Sequence, residues 1–128
     1  MILNQKIDSL MMVVGRVLLG IYFLLPGLGK ILTYSDNIIL LTSKGVPLTP
    51  IALPLTILIE VILGAMLIFD RYIKMSSMIL FALTLLINIF IHDFWNLSGV
   101  MQSHEAQNFY KNIGVAAGLL ILASTAKN

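Results

Sequence analysis

"GRVLLGIYFLLPGLGK", residues 15–30, decides the fold class of this chain. Leu, Ile, Val, Phe and Gly fill the stretch, yet Arg16 stands near one end and Lys30 closes the other. With residues 10–14 and 31–32 added, the apolar run covers 10–32, and about 20 such residues suffice to cross the hydrocarbon core of a bilayer. Pro26 and the glycines at 15, 20, 27 and 29 do not argue against a helix here, because in a membrane bundle neighbouring helices re-satisfy the freed backbone groups. The two cations pose the question. They either anchor the helix at the lipid boundary or mark a polar interior.

Composition answers the first half of it. Of 128 residues, 59% are hydrophobic and 11% charged, with a mean hydropathy of +0.97; soluble domains run near 45–50% apolar and about 25% charged. A soluble domain of this size has no core large enough to hide that much apolar surface. The net charge of +2 is small and its cations are scattered, so no basic stripe for nucleic acid is present. Cysteine is absent, which excludes disulfides, thiolate metal sites and a dithiol relay within the chain. The N-terminal "MILNQKIDSLMMVVGRVLLG" has a long apolar run and no small-x-small cleavage site, so it reads as a retained first helix.

Three further runs match the span length. They cover residues 51–69, 75–91 and 109–123, separated by the polar turn "DRYIK" and the loop "HDFWNLSGVMQSHEAQ". Between the first and second spans, residues 38–41 are too few to cross; Ser35 or Asp36 caps a short helix, Gly45-Val46-Pro47 ends it, and it lies at the interface. The fold class is therefore all-α: an integral membrane, antiparallel four-helix bundle with one interfacial helix, read as a single transmembrane domain over residues 1–128. Lys6, Arg71, Lys74 and Lys127 against Lys30, Lys44 and Lys111 bias both termini toward the cytoplasm.

Helical spacing then sorts the polar residues. Residues 3, 4 and 7 apart share a face. Arg16, Gly20, Phe23, Gly27 and Lys30 line one stripe of the first span; Glu60, Gly64 and Leu67 line the second. Thr84, Asn88, His92 and Trp95 follow along the third, and Asn108, Asn112 and the adjacent Lys111, Gly114 and Gly118 along the fourth. A charge facing lipid at the bilayer centre costs at least about 2.5–3.5 kcal/mol, so these faces turn inward. Arg16 lies within side-chain reach of Glu60, and the expectation is an Arg16–Glu60 ion pair. Lys30, His92, Asp93, Trp95, Lys111 and Asn112 fall at the end opposite the termini. Two ammoniums, an imidazole that titrates near neutrality, an indole and an amide suit a small anion or the oxygen of a quinone-like head, with His92 as acid or base.

Each feature has a plainer reading. A buried ion pair often fixes helix packing rather than chemistry, lysines snorkel at helix ends, and His with Trp forms an interfacial belt. Two histidines and a few carboxylates make no metal-ligand spacing, so no metal is expected.

The residues resemble the DoxX family of small four-helix bacterial membrane proteins, which includes DoxD-type members. The likeness runs through "GRVLLGIYFLLPGLGK", "KGVP", "IEVILGAMLIFDRY", "IHDFW" and "FYKNIGVAAGLL" in order. Gly pairs usual in the family are replaced here by Leu63-Gly64 and Ala117-Gly118. The resemblance implies a bacterial cytoplasmic (inner) membrane protein linked in some members to quinone-coupled sulfur or thiol oxidation. It carries the family's polar positions onto Arg16, Lys30, Glu60, His92, Trp95, Lys111 and Asn112. Arg16, Glu60 and His92 are then catalytic candidates, and Lys30, Trp95, Lys111 and Asn112 ligand-binding ones. Three classes stay open: a quinone-linked oxidoreductase subunit with a redox partner, a small-solute binding or transport protein, and a structural or assembly subunit. The bilayer is the expected partner in all three, with homo-oligomerisation compatible with each.

Overall fold

A computed structural model describes residues 1–128. Helix α1 covers Ile2–Leu32, α2 Tyr34–Ser43, α3 Thr49–Leu58, α4 Gly64–Ile68, α5 Ile73–Phe90 and α6 Gly99–Thr125. A π turn, Ile59–Leu63, joins α3 to α4 without a break, and a 3-10 turn, Phe94–Asn96, follows α5. The chain is an all-α membrane protein. The long helices α1, α3–α4, α5 and α6 run alternately up and down, and α2 is the short helix between the first two.

Three of these helices are apolar enough along their length to cross a membrane: α1, α3–α4 and the one that begins with α5. The last, α6, packs along α5 as the fourth member. Asn108, Lys111 and Asn112 interrupt its apolar stretch. Boundaries differ from the sequence expectation in two places. The polar loop expected over 92–107 is helical from Gly99 onward, so only residues 91–98 connect α5 to α6. The first helix starts at Ile2, and residues 1–15 are exposed along its whole first half.

Apolar burial concentrates in the half nearer the termini. Phe23, Leu67, Ile73, Leu80, Leu119 and Leu122 form the core cluster. Leu10, Leu18 and Leu25 of α1, Leu55 and Leu58 of α3 and Ile121 of α6 stay exposed. In water that arrangement would be untenable; against acyl chains it needs no cover. Leu40 and Ile39 keep α2 in the same apolar register, and no α2 residue is buried. No capping side chain from Ser35 or Asp36 is found: α2 starts from Thr33, whose hydroxyl donates back to the Gly29 carbonyl at 3.2 Å. The expected stop is present, with Gly45 at φ +77° just past α2, where a Cβ would be strained.

Two glycines set how closely the first pair of spans approaches. A Cβ built on Gly20 would lie 2.6 Å from the Gly64 carbonyl oxygen, and one on Gly64 would lie 2.8 Å from the Gly20 carbonyl oxygen. Backbone therefore meets backbone, as small-xxx-small contacts allow. Further along, a Cβ on Gly27 would lie 2.9 Å from Cβ of Glu60. This close approach brings the carboxylate of α3–α4 against the far end of α1.

Candidate functional site

The centre of the polar interior is Glu60, 3% exposed and the second residue of the π turn. Single π turns inside α-helices recur at functional sites. Here the extra residue per turn widens the helix where Gly27 presses on it. The Lys30 ammonium, in the last turn of α1, straddles the carboxylate at 2.9 Å from Oε1 and 3.2 Å from Oε2. The ammonium is thus shared between the two carboxylate oxygens, nearer to Oε1 than to Oε2. The two side chains are unequal in depth: Lys30 is 25% exposed and Glu60 4%. One partner can reach water and the other cannot.

A row of neutral polar groups continues from this pair across the bundle. The Tyr22 hydroxyl on α1 donates to Oδ1 of Asn112, which is buried on α6. On α5, Asn88 donates through Nδ2 to the Phe109 carbonyl at 3.1 Å, while its buried Oδ1 has no donor. Thr84, one turn earlier, returns its hydroxyl to the Leu80 carbonyl at 2.8 Å. Glu60 of α3–α4, Thr84 and Asn88 of α5 and Asn112 of α6 are all buried, and α1 reaches them with the half-exposed Tyr22. Tying Asn88 to a main-chain carbonyl of α6 also fixes the register of the last two helices.

Arg16 belongs elsewhere. Its Nη1 donates to the carbonyls of Leu67 and Ile68 at 2.5 and 3.0 Å, and Nε lies 4.0 Å from Asp70 Oδ1. Those carbonyls end α4, where the helix dipole is negative and carbonyls lack intrahelical donors. The expected Arg16–Glu60 pair is therefore not formed. Leu67 follows Glu60 by about two turns, or roughly 10 Å at 1.5 Å per residue. Arg16 meets the terminal carbonyls of the facing helix instead, and Lys30 takes the carboxylate.

The outer group expected from sequence resolves into separate pairs. His92 Nδ1 lies 2.8 Å from Glu105 Oε2, and Asn108 donates to the other oxygen of Glu105 at 3.1 Å. Lys44 donates to Asp93 Oδ1 at 2.7 Å and Asn96 to Oδ2 at 3.1 Å. Asp93 sits in the loop after α5. Burial opposes its ionisation, but the hydrogen bonds from Lys44 and Asn96, with the ammonium charge, outweigh it and hold the carboxyl below the usual carboxylate range. Trp95 is 51% exposed and packs edge-on against Phe94 and Phe109 at 5.4 and 5.8 Å between centroids. Lys111 points outward from α6, and Gly114 has open space around it. The Lys111–Gly114 stripe does not face the interior as expected.

Of the sequence-derived residues, Lys30, Glu60 and Asn112 join the interior row, His92 stands at its outer margin, and Trp95 and Lys111 lie off it. Sequence reasoning passed over Tyr22, Lys44 and Glu105. Tyr22 lies off the inward stripe of its helix and reaches Asn112 from the side. Lys44 and Glu105 pair with residues in a loop whose path no periodicity describes.

Comparison with known proteins now bears on this arrangement. The pattern of the DoxX family matches residues 11–93, from the start of the first span to the loop after α5. The chain belongs to the DoxX family. The match takes in Arg16, Lys30, Glu60 and His92, and leaves Trp95, Lys111 and Asn112 outside it. The chain is 21% identical over 115 residues to the inner membrane protein YphA of Escherichia coli K12, covering 90% of this chain and 82% of that one. It is 29% identical over 121 residues to the inner membrane protein YqjF of the same organism, covering 94% and 88%. No solved structure matches. The DoxX assignment and the apolar helices together make this an integral membrane protein.

Proposed function

We propose that this DoxX protein is the membrane component of a quinone-linked oxidoreductase system and holds a quinone head at the Lys30–Glu60 end of the polar row. The observation that carries the reading is the unequal pair: a partly exposed ammonium held against a buried carboxylate. A quinone presents two carbonyl acceptors on an apolar ring, and its two-electron reduction takes up two protons. Lys30 is a donor to one carbonyl, and Tyr22 becomes a second donor across the row if its hydroxyl turns from Asn112 to the ligand. Glu60 and, nearer the outer end, His92 are groups able to exchange protons. Electrons come from a redox partner, since this chain carries no thiol. Similarity to two inner membrane proteins supports an inner-membrane location. Lys6, Arg71, Lys74 and Lys127 at the terminal end, against Lys30, Lys44 and Lys111 at the other, support termini in the cytoplasm.

Trp95 is the single tryptophan and packs on Phe109, whose carbonyl receives Asn88. Titrating a short-chain quinone analogue into the protein in nanodiscs should therefore quench its fluorescence saturably. Lys30→Met and Glu60→Gln should each weaken the apparent affinity about tenfold, the worth of one charge-assisted hydrogen bond. Linear, unsaturable quenching that is equal in all three proteins would refute the proposal. A second reading is favoured by the pairing of Tyr22 with Asn112: the row only pins the bundle. Variants would then lower stability and leave quenching untouched.

A further inference from the structure

At the terminal end, away from Glu60, α1 and α6 stand apart and leave two adjoining recesses that share Arg16. The larger, about 470 Å³, is walled by Met11, Met12, Leu19 and Ile121, with Gly15 and Gly118 along it and Asp8 at its margin. The smaller, about 310 Å³, is more polar and is bordered by Arg16, Asp70, Thr125, Lys127 and Asn128. Both volumes fall in the range of roughly 300–1,000 Å³ typical of ligand sites. A Cβ on Gly15 would meet nothing within 4 Å, so the recess there is open.

Arg16 is the group with spare capacity. Its side chain is 11% exposed, and two of its N–H groups go to the α4 carbonyls. A guanidinium has five. Three remain beside a recess that opens toward lipid, next to an acid at 4.0 Å. The charges bordering the recesses are mixed: Arg16 and Lys127 against Asp8 and Asp70. A purely anionic head would face both carboxylates. A head carrying an anion and a hydrogen-bonding cation satisfies both signs.

We propose that these recesses bind one phospholipid with a primary-ammonium headgroup. Its phosphate sits on Arg16 and Lys127, its ammonium on Asp70, and one acyl chain lies along Gly15 and Gly118. The head then occupies the polar recess level with the α4–α5 turn, and the chain runs toward the bilayer centre. The site is separate from the polar row and stands or falls independently of the quinone reading.

Native mass spectrometry of the detergent-purified protein, given equal amounts of chain-matched phosphatidylethanolamine, phosphatidylcholine and phosphatidylglycerol, tests it. The expected result is one retained phosphatidylethanolamine, held about tenfold over the other two, the margin of one charge-assisted contact. Gly15→Leu projects a side chain into the apolar recess from a position where a Cβ meets nothing within 4 Å, and should abolish retention without lowering the unfolding midpoint. Arg16→Gln and Asp70→Asn should each lower retention about tenfold. Because Arg16 also caps α4, the Gly15→Leu result decides the matter if Arg16→Gln fails to fold. Equal retention of the three lipids, preference for phosphatidylglycerol, or retention unaffected by Gly15→Leu would overturn the proposal. So would a dimer that shields Gly15 from a cysteine-directed label in a Gly15→Cys protein.

Discussion

The Lys30–Glu60 pair makes a quantitative prediction because its two members are buried to different depths. Removing Lys30 as Lys30→Met leaves a carboxylate at 4% exposure with no counter-charge. Breaking a buried pair in that way costs about 3–5 kcal/mol. The carboxylate has an escape, which is to take up a proton; for an ordinary glutamate at pH 7 that costs about 3.7 kcal/mol, which caps the penalty. Removing Glu60 as Glu60→Gln leaves an ammonium already 25% exposed on a flexible stem. It can snorkel to the interface, so the loss should be about 1–2 kcal/mol. The double variant should lie close to Glu60→Gln, giving a coupling of at least about 2 kcal/mol. At pH 5 the proton-uptake cap falls to about 1 kcal/mol, so Lys30→Met should recover most of its stability there. Reversible unfolding in mixed micelles, followed by circular dichroism at both pH values, measures all of this. A control cycle of Arg16→Met with Glu60→Gln should be additive within about 0.5 kcal/mol, because those residues share no contact. If Glu60→Gln proves the more damaging single change, or the coupling belongs to Arg16 rather than Lys30, the assignment of the pair is wrong.

Three other expectations follow from the same geometry. Gly20→Val should destabilise by about 1–3 kcal/mol or more, since a Cβ there meets the Gly64 carbonyl and cannot displace backbone; Gly114→Ala, inside α6 and in open space, should instead stabilise by up to about 1 kcal/mol in the same unfolding assay. Tyr22→Phe removes the donor to Asn112 and should lower stability by about 1–3 kcal/mol, the cost of an unsatisfied buried acceptor. The Lys44–Asp93 clamp should depend on acid. Because the folded carboxyl is held below its usual range, its contribution is complete above about pH 4 and is lost as pH falls through the lowered value. Thermal unfolding from pH 6 to 2 should show the gap between the wild-type protein and Lys44→Met closing at the acid end.

Much of this protein was legible in one dimension. Length and hydropathy gave the membrane helices, because burying apolar surface against lipid needs only about 20 suitable residues in a row. The inward stripe of α1 was also readable: Gly20, Phe23 and Gly27 are buried at the spacing that put them on one face. Glu60, Gly64 and Leu67 are buried together as expected, even though a π turn intervenes. The partners of the charges were not legible. Periodicity gives the direction a residue faces on its helix, but pairing depends on where one helix stands vertically against the next.

That vertical offset is a tertiary property. The backbone contact of Gly20 with Gly64 sets it, and it leaves Arg16 beside the terminal carbonyls of α4 and Lys30 beside Glu60. The start of α6 at Gly99 was equally hidden, since Gln102, His104 and Glu105 read as loop, and only the folded chain gives Glu105 its partner in His92. Sequence alone therefore determined the solvent this chain lives in and the faces that α1, α3–α4 and α5 turn inward, but not the Lys111–Gly114 side of α6. Only the packed structure decided which charge meets which, because side-chain reach is a few ångströms and one helical turn of slip exchanges every partner.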